Sequence, residues 1–116
     1  MHELSVTEGL LKICLDEGEK HKIKKVTKVK VKVGELSDLI PSCISYYFNI
    51  VAKGTIAENA EILVEKIPVS INCKECGYNG VLPRKTYTCP KCNGNKYEIT
   101  KGREFYLDTM EVEWWK

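Results

Sequence analysis

Histidine is scarce in this chain of 116 residues: only His2 and His21 occur. So thin a supply leaves no Ser/His/Asp or Cys/His pairing, and no glycine-rich phosphate loop stands in its place. Long apolar runs are missing too, and nothing approaches the roughly 20 residues of a membrane span. The start, Met1-His2-Glu3-Leu4, lacks the basic and apolar regions of a secretory signal. Charge of one sign is also lacking: 18 basic against 16 acidic side chains leave a net +2. Charge alone therefore indicates neither a nucleic-acid binder nor a membrane-surface protein. Repeats and low-complexity tracts are absent. These absences argue against an enzyme and against a membrane protein.

What is present is cysteine. Four of the six stand as Cys73-Lys-Glu-Cys76 and Cys89-Pro-Lys-Cys92, two CxxC knuckles twelve residues apart. Four soft thiolates at this spacing can close a tetrahedron around one Zn(II), with no open position at which to activate water. Gly77 follows the first knuckle and Asn93-Gly94 the second, residues that tolerate the positive φ of a tight turn. The knuckles also resemble those of rubredoxins, which hold iron, although the short loop between them lacks the aromatic core of those carriers. Zinc is the better match for the ligand type and spacing. Thiols in a chain without an export signal meet a reducing compartment, so the expected location is cytoplasmic. Cys14 and Cys43 sit within helical patterns and read as small buried hydrophobes.

A helix is expected over residues 4–18, with Leu4, Leu10, Leu11, Cys14 and Leu15 on its apolar face. Ser5-Val-Thr-Glu8 fits a capping box, a start one or two residues earlier fits equally, and Gly18 marks the end. Lys28 to Val33 alternates lysine with valine, a half-buried strand. Gly34-Glu35-Leu36-Ser37 turns the chain. Ser37 or Asp38 can then cap a second helix with Pro41 in its first turn. Its buried stripe is Ile40, Ile44, Tyr47, Phe48 and Val51, and Gly54 ends it. Glu61 to Ile67 is a strand stopped by Pro68. The last strand, Phe105 to Trp114, changes phase near Asp108 and Thr109, as a β-bulge would make it do. The expected class is α+β: two helices on a small three-stranded sheet, with a four-cysteine zinc-ribbon subdomain inserted. Residues 1–68 plus 102–116 form one domain and 69–101 the zinc-binding one. The ribbon is too small to hold a fold without its metal.

The basic run Lys20, Lys22, Lys24, Lys25, Lys28, Lys30 and Lys32 has no interleaved aromatics to stack bases, so it reads as solvated surface. The Lys28 to Val33 strand, set at a sheet edge, would support dimers or swapping. His21, among lysines at a helix end, reads as a surface residue.

The amino terminus offers a second metal site. A bulky second residue generally protects Met1 from removal and so preserves its free amine. That amine, the amide nitrogens of His2 and Glu3, and the His2 imidazole give four nitrogens in one tripeptide. Ni(II) and Cu(II) favour such square-planar nitrogen sets, and the residues do not choose between them. Glu3 can add a carboxylate oxygen if the geometry opens toward octahedral.

Taken in order, Met1-His2-Glu3-Leu4-Ser5, Gly34-Glu35-Leu36-Ser37, Gly54-Thr55-Ile56 with Ala60-Glu61, the two knuckles, and Gly102-Arg103-Glu104 leading into Met110-Glu111-Val112-Glu113 resemble the HypA/HybF family. The resemblance covers nearly the whole chain. It implies a nickel metallochaperone for maturation of [NiFe] hydrogenase and, in some organisms, urease. It implies His2 as the essential nickel ligand, helped by the Met1 amine and Glu3, and Cys73, Cys76, Cys89 and Cys92 as structural zinc ligands. It implies the GTPase HypB and the hydrogenase large subunit as partners. Many relatives carry an acidic residue just before Pro41; here Ile40 stands there, and Asp38 is the nearest acid before it. A zinc-ribbon adaptor without transferable metal is the competing expectation.

Overall fold

The computed structural model describes residues 3–116. Met1 and His2, on which the amino-terminal nickel site rests, lie outside the described residues. Helices α1 (Glu3–Lys20) and α2 (Pro41–Val51) accompany six strands: β1 (Ile23–Gly34), β2 (Glu61–Ile67), β3 (Ser70–Cys73), β4 (Asn79–Val81), β5 (Tyr97–Lys101) and β6 (Phe105–Trp114). They form two three-stranded sheets, ordered β2-β1-β6 and β4-β3-β5. The class is α+β, with a cysteine-bearing ribbon carried between β2 and β6. Two compact units result. One holds the described chain through Lys32, Asp38–Glu65 and Tyr106–Lys116; the other holds Val33–Ser37 and Lys66–Phe105.

In the first unit α1 packs against α2. Leu10, Leu11 and Cys14 of α1, Val26, Val29 and Val31 of β1, and Ile44 and Phe48 of α2 are buried and make the interior. Burial removes the Cys14 thiol from water and pushes its pKa up to about 11, so it is inert packing. Cys43 is only half-buried. Leu4 and Ile40, expected on the apolar stripes, are 42% and 52% exposed. Thr7 takes the buried place instead, its hydroxyl satisfied by donating to the Glu3 carbonyl at 2.5 Å.

Several expected punctuation marks lie elsewhere. α1 already runs at Glu3, so Ser5 is inside the helix and is not its cap. Gly18 is also inside and buried; a Cβ there would strike the Ile56 Cδ1. The left-handed turn after the helix falls to Lys22, φ 55°. α2 is capped by Ile40 without any side-chain hydrogen bond, and Pro41 opens it. Asp38, with φ 63°, is committed to the turn before it. The helix ends at Val51, before Gly54, whose φ of +80° serves the following turn. β6 does change phase at Asp108 and Thr109, two consecutive exposed residues.

β1 is the central strand of its sheet, which corrects the edge expectation and removes that route to dimers. Three of its lysines are matched by glutamates on the flanking strands. Lys28 reaches Glu111 of β6 at 3.2 Å and Glu61 of β2 at 3.7 Å. Lys30 and Lys32 reach Glu65 of β2 at 3.1 and 2.6 Å. Opposite charges facing each other across strands favour this register over a slipped one.

Candidate metal centre

The second unit is organised by two chain reversals with one hydrogen-bond plan. At the first knuckle the Gly77 amide donates to the Cys73 carbonyl at 3.0 Å and the Cys73 amide to the Tyr78 carbonyl at 2.7 Å. At the second, the Asn93 amide donates to the Cys89 carbonyl and the Cys89 amide to the Gly94 carbonyl, both at 2.8 Å. The left-handed position is filled by Gly77 (φ +77°) in one and Asn93 (φ 60°) in the other, as the turn residues led one to expect. Gly94 is small for a different reason: a Cβ there would strike the Glu75 carboxylate and lie 3.3 Å from the Cys92 Sγ.

β3 delivers Cys73 to its end and pairs antiparallel with β4 (Ile71 opposite Gly80) and with β5 (Cys73 opposite Tyr97). Val69, Ile71 and Leu82 join Cys73 and Cys89 in a small buried cluster, with Tyr78, Tyr97 and Ile99 packed on it. The four thiols meet there. All lie within 4.8 Å of one another, and the Cys73–Cys92 and Cys76–Cys89 Sγ pairs are 3.6 Å apart. Sulfurs at about 2.3 Å from a tetrahedral zinc stand about 3.8 Å from each other, so the cluster has the dimensions of a metal cage. Cys73 and Cys89 are buried and Cys92 exposed, leaving the cage one wet side.

Electrostatics support the same reading. Amide hydrogen bonds, that from Cys76 foremost, pull the Cys73 thiol down to about 7. At Cys92 the Gly94 amide also favours the thiolate, yet burial and the crowding of Cys76, Cys73 and Cys89 outweigh it and push the thiol up to about 12. Cys76 is likewise raised: the Tyr78 amide lowers it, but burial and neighbouring sulfur win. One thiolate is welcome and four are not, unless a cation sits among them. The donor set is soft sulfur only, which selects zinc or iron and is unlike a nickel site of nitrogen and oxygen. Disulfides are absent among the described cysteines.

A second convergence was not foreseen from the sequence. Gly34 and Leu36 donate amides to the carbonyls of Glu104 (2.6 Å) and Gly102 (2.7 Å), and the Glu35 amide donates to Ile67. The Gly102 amide in turn donates to the Glu104 carboxylate at 2.7 Å, which holds that acid below its usual pKa. A Cβ on Gly34 would collide with the Gly102 carbonyl, and Gly102 itself sits at φ +125°. Two motifs far apart in the chain are thus the two halves of one backbone junction. This is why Val33–Ser37 belongs to the ribbon's unit. Glycine in both motifs was the only available signal, and it does not say which glycine meets which.

Of the amino-terminal residues, only Glu3 is described; it opens α1. His21 is half-exposed and lies 3.1 Å from Glu17, one helical turn back. No described helix is long and apolar enough to cross a membrane.

Comparison with known proteins agrees with this architecture. Residues 1–112 match the family model described as hydrogenase/urease nickel incorporation, metallochaperone, hypA. The hydrogenase maturation factor HypA of Caldanaerobacter subterraneus is 42% identical over 97% of this chain and 100% of its own length. That of Moorella thermoacetica is 33% identical over 97% and 100%. The solution structure of the Ni metallochaperone HypA from Helicobacter pylori superposes with a TM-score of 0.71 at 26% identity, covering 98% of this chain and 99% of that one. On this match the chain belongs to the HypA family of hydrogenase maturation factors and nickel metallochaperones.

Proposed function

We propose that this chain carries Ni(II) at its amino terminus and hands it on during maturation of [NiFe] hydrogenase, and of urease in organisms that make it, without turnover of its own. The observation that carries the reading is the family match from residue 1 to residue 112, which includes Met1-His2-Glu3. The ligands are the Met1 amine, the amide nitrogens of His2 and Glu3, and the His2 imidazole. The Glu3 carboxylate adds oxygen where the geometry opens. Such a nitrogen set suits Cu(II) as well; family membership favours nickel as the cargo. Asp38 is the nearest acidic alternative to the one that Ile40 replaces.

The four cysteines are the natural seat of a resident Zn(II), which supplies structure and no chemistry. A donor must release its cargo, and a thiolate cage holds too firmly for that, so the two metals have separate jobs. Residues 1–68 plus 102–116 are the nickel-carrying part and 69–101 the zinc-carrying part. The partners are the GTPase HypB, the hydrogenase large subunit and, where urease is served, its maturation proteins; self-association as a homodimer fits the same role. Nucleic acid and membrane have no part in it. The place of action is the cytoplasm, where thiols stay reduced.

Nickel titration by calorimetry of the tag-free chain, of His2→Ala, and of a form lengthened by one amino-terminal residue tests this. Both altered forms should lose the moderate-affinity nickel event while zinc stays at about one per chain. Nickel binding equal to that of the native chain in both would overturn the reading.

A further inference from the structure

The basic run divides in two. Lys28, Lys30 and Lys32 face glutamates on the neighbouring strands. Among the described residues, Lys20, Lys22, Lys24 and Lys25 make no ion pair, although Glu19 adjoins Lys20 in sequence and Glu58 lines a cleft with Lys24 and Lys25. Four unmatched cations therefore sit where α1 ends and β1 begins. The local backbone explains their exposure. At this end β1 buries Ile23, Val26 and Val29 at intervals of three, so the consecutive residues Lys24 and Lys25 are both in water.

The far end of the chain comes to the same place. The Lys24 ammonium stands 5.6 Å from the centre of the Trp115 ring, and that tryptophan is 67% exposed. Lys24, Lys25 and Trp115 line an open cleft of about 400 Å³ together with Gly54, Thr55 and Glu58. The combination is an apolar ring held in water beside two lysines that make no ion pair. Tryptophan left exposed in this way is an anchor for an apolar side chain, and the lysines around it select for negative neighbours.

We propose that this corner is a docking site for an acidic segment of a partner protein, with carboxylates facing Lys20, Lys22, Lys24 and Lys25 and an apolar side chain against Trp115. Nucleic acid is the weaker fit. A single strand needs successive rings to stack on and a continuous basic track, whereas the cleft is lined by one aromatic ring and two lysines. The inference is independent of how the amino terminus treats nickel.

The test uses the full chain and three fluorescein-labelled probes: a peptide of alternating Glu and Leu, its Gln counterpart, and a single-stranded oligothymidine of equal length. Anisotropy at low salt reads affinity, and the Trp115 indole resonance reports the place. The acidic peptide should bind, weaken with salt and shift that indole, and the Gln peptide should not bind. The K24E/K25E double variant should weaken binding at least about tenfold and Trp115→Ala several-fold. K24R/K25R should retain it, and Lys74→Glu, on the ribbon, should change it less than about twofold. All these positions are exposed, so unchanged circular dichroism checks the fold. Peptide affinity indifferent to K24E/K25E, or oligothymidine binding as tightly as the acidic peptide, would overturn the proposal.

Discussion

The two units reach stability by different physics. The helix-and-sheet unit buries Leu10, Leu11, Cys14, Val26, Val29, Val31, Ile44 and Phe48, and its interior is hydrocarbon. The ribbon unit has a buried cluster of five residues, and two of those are cysteines. An apolar core of Val69, Ile71 and Leu82 cannot offset the entropy of ordering Lys66–Phe105. Hydrophobic burial holds the first unit; the second has four clustered thiols in place of such a core, and on the proposed reading it depends on a bond to an ion. The unit with the weaker core also has a close backbone approach, that of Gly34 to the Gly102 carbonyl.

The largest expected effect breaks one side of this comparison. Removing the metal with a strong chelator, or making Cys73→Ser with Cys89→Ser, should unfold Lys66–Phe105 and leave α1 and α2 folded. Metal binding is worth on the order of 10 kcal/mol in small zinc domains, more than so small a core can replace. Amide exchange measured residue by residue checks it: protection should vanish at Ile71 and Ile99 and persist at Leu10 and Phe48. Retained protection at Ile71 in the metal-free chain would mean the ribbon is held by packing after all.

Phe48→Ala is the mirror experiment. It empties a large, fully buried side chain and should cost the helix-and-sheet unit about 3–5 kcal/mol. Zinc content should not change. Denaturant unfolding followed by far-ultraviolet circular dichroism gives the first quantity and metal analysis the second. Next comes Gly34→Ala, which sets a methyl group against the Gly102 carbonyl. Backbone cannot give way as a flexible side chain can, so the loss should be about 1–3 kcal/mol, felt in the ribbon unit. Gly18→Ala should be milder, because its obstacle is the movable tip of Ile56.

The same contrast governs what could be read in advance. Glu61–Ile67 and Phe105–Trp114 were legible to the residue because alternation and Pro68 or the phase change mark them. The cysteine cluster was legible because ligand spacing is a local property. The start of β1 was not: burial at Ile23, Val26 and Val29 follows a period of three, which alternation does not detect. Gly18 resembled a helix stop, but only the packed position of Ile56 shows that it is a contact. The amide and carbonyl exchange between Gly34, Leu36, Gly102 and Glu104 was invisible for the same reason, since hydrogen bonds between distant segments leave no periodicity. The pairing of Lys28, Lys30 and Lys32 needed the strand order β2-β1-β6 before it could be seen. The proposed role of Met1 and His2 as nickel ligands rests on the sequence alone, since both lie outside the described residues.

The smallest effect concerns those pairs. Hydrogen bonds from Lys32 first and Lys30 second hold the Glu65 carboxyl below its usual pKa, and Glu65 in turn raises that of Lys32. A carboxyl depressed in the folded state stabilises at pH values above its unfolded pKa, and loses that contribution as pH falls through its folded one. Glu65→Gln should therefore lower the melting temperature slightly at neutral pH and match the parent in strong acid. These groups are exposed, so the difference should also shrink as salt screens them. Calorimetric scans of both chains across pH, at low and at molar salt, measure it. A difference that survives molar salt would mean that Glu65 acts through packing or hydrogen bonding and not through its charge.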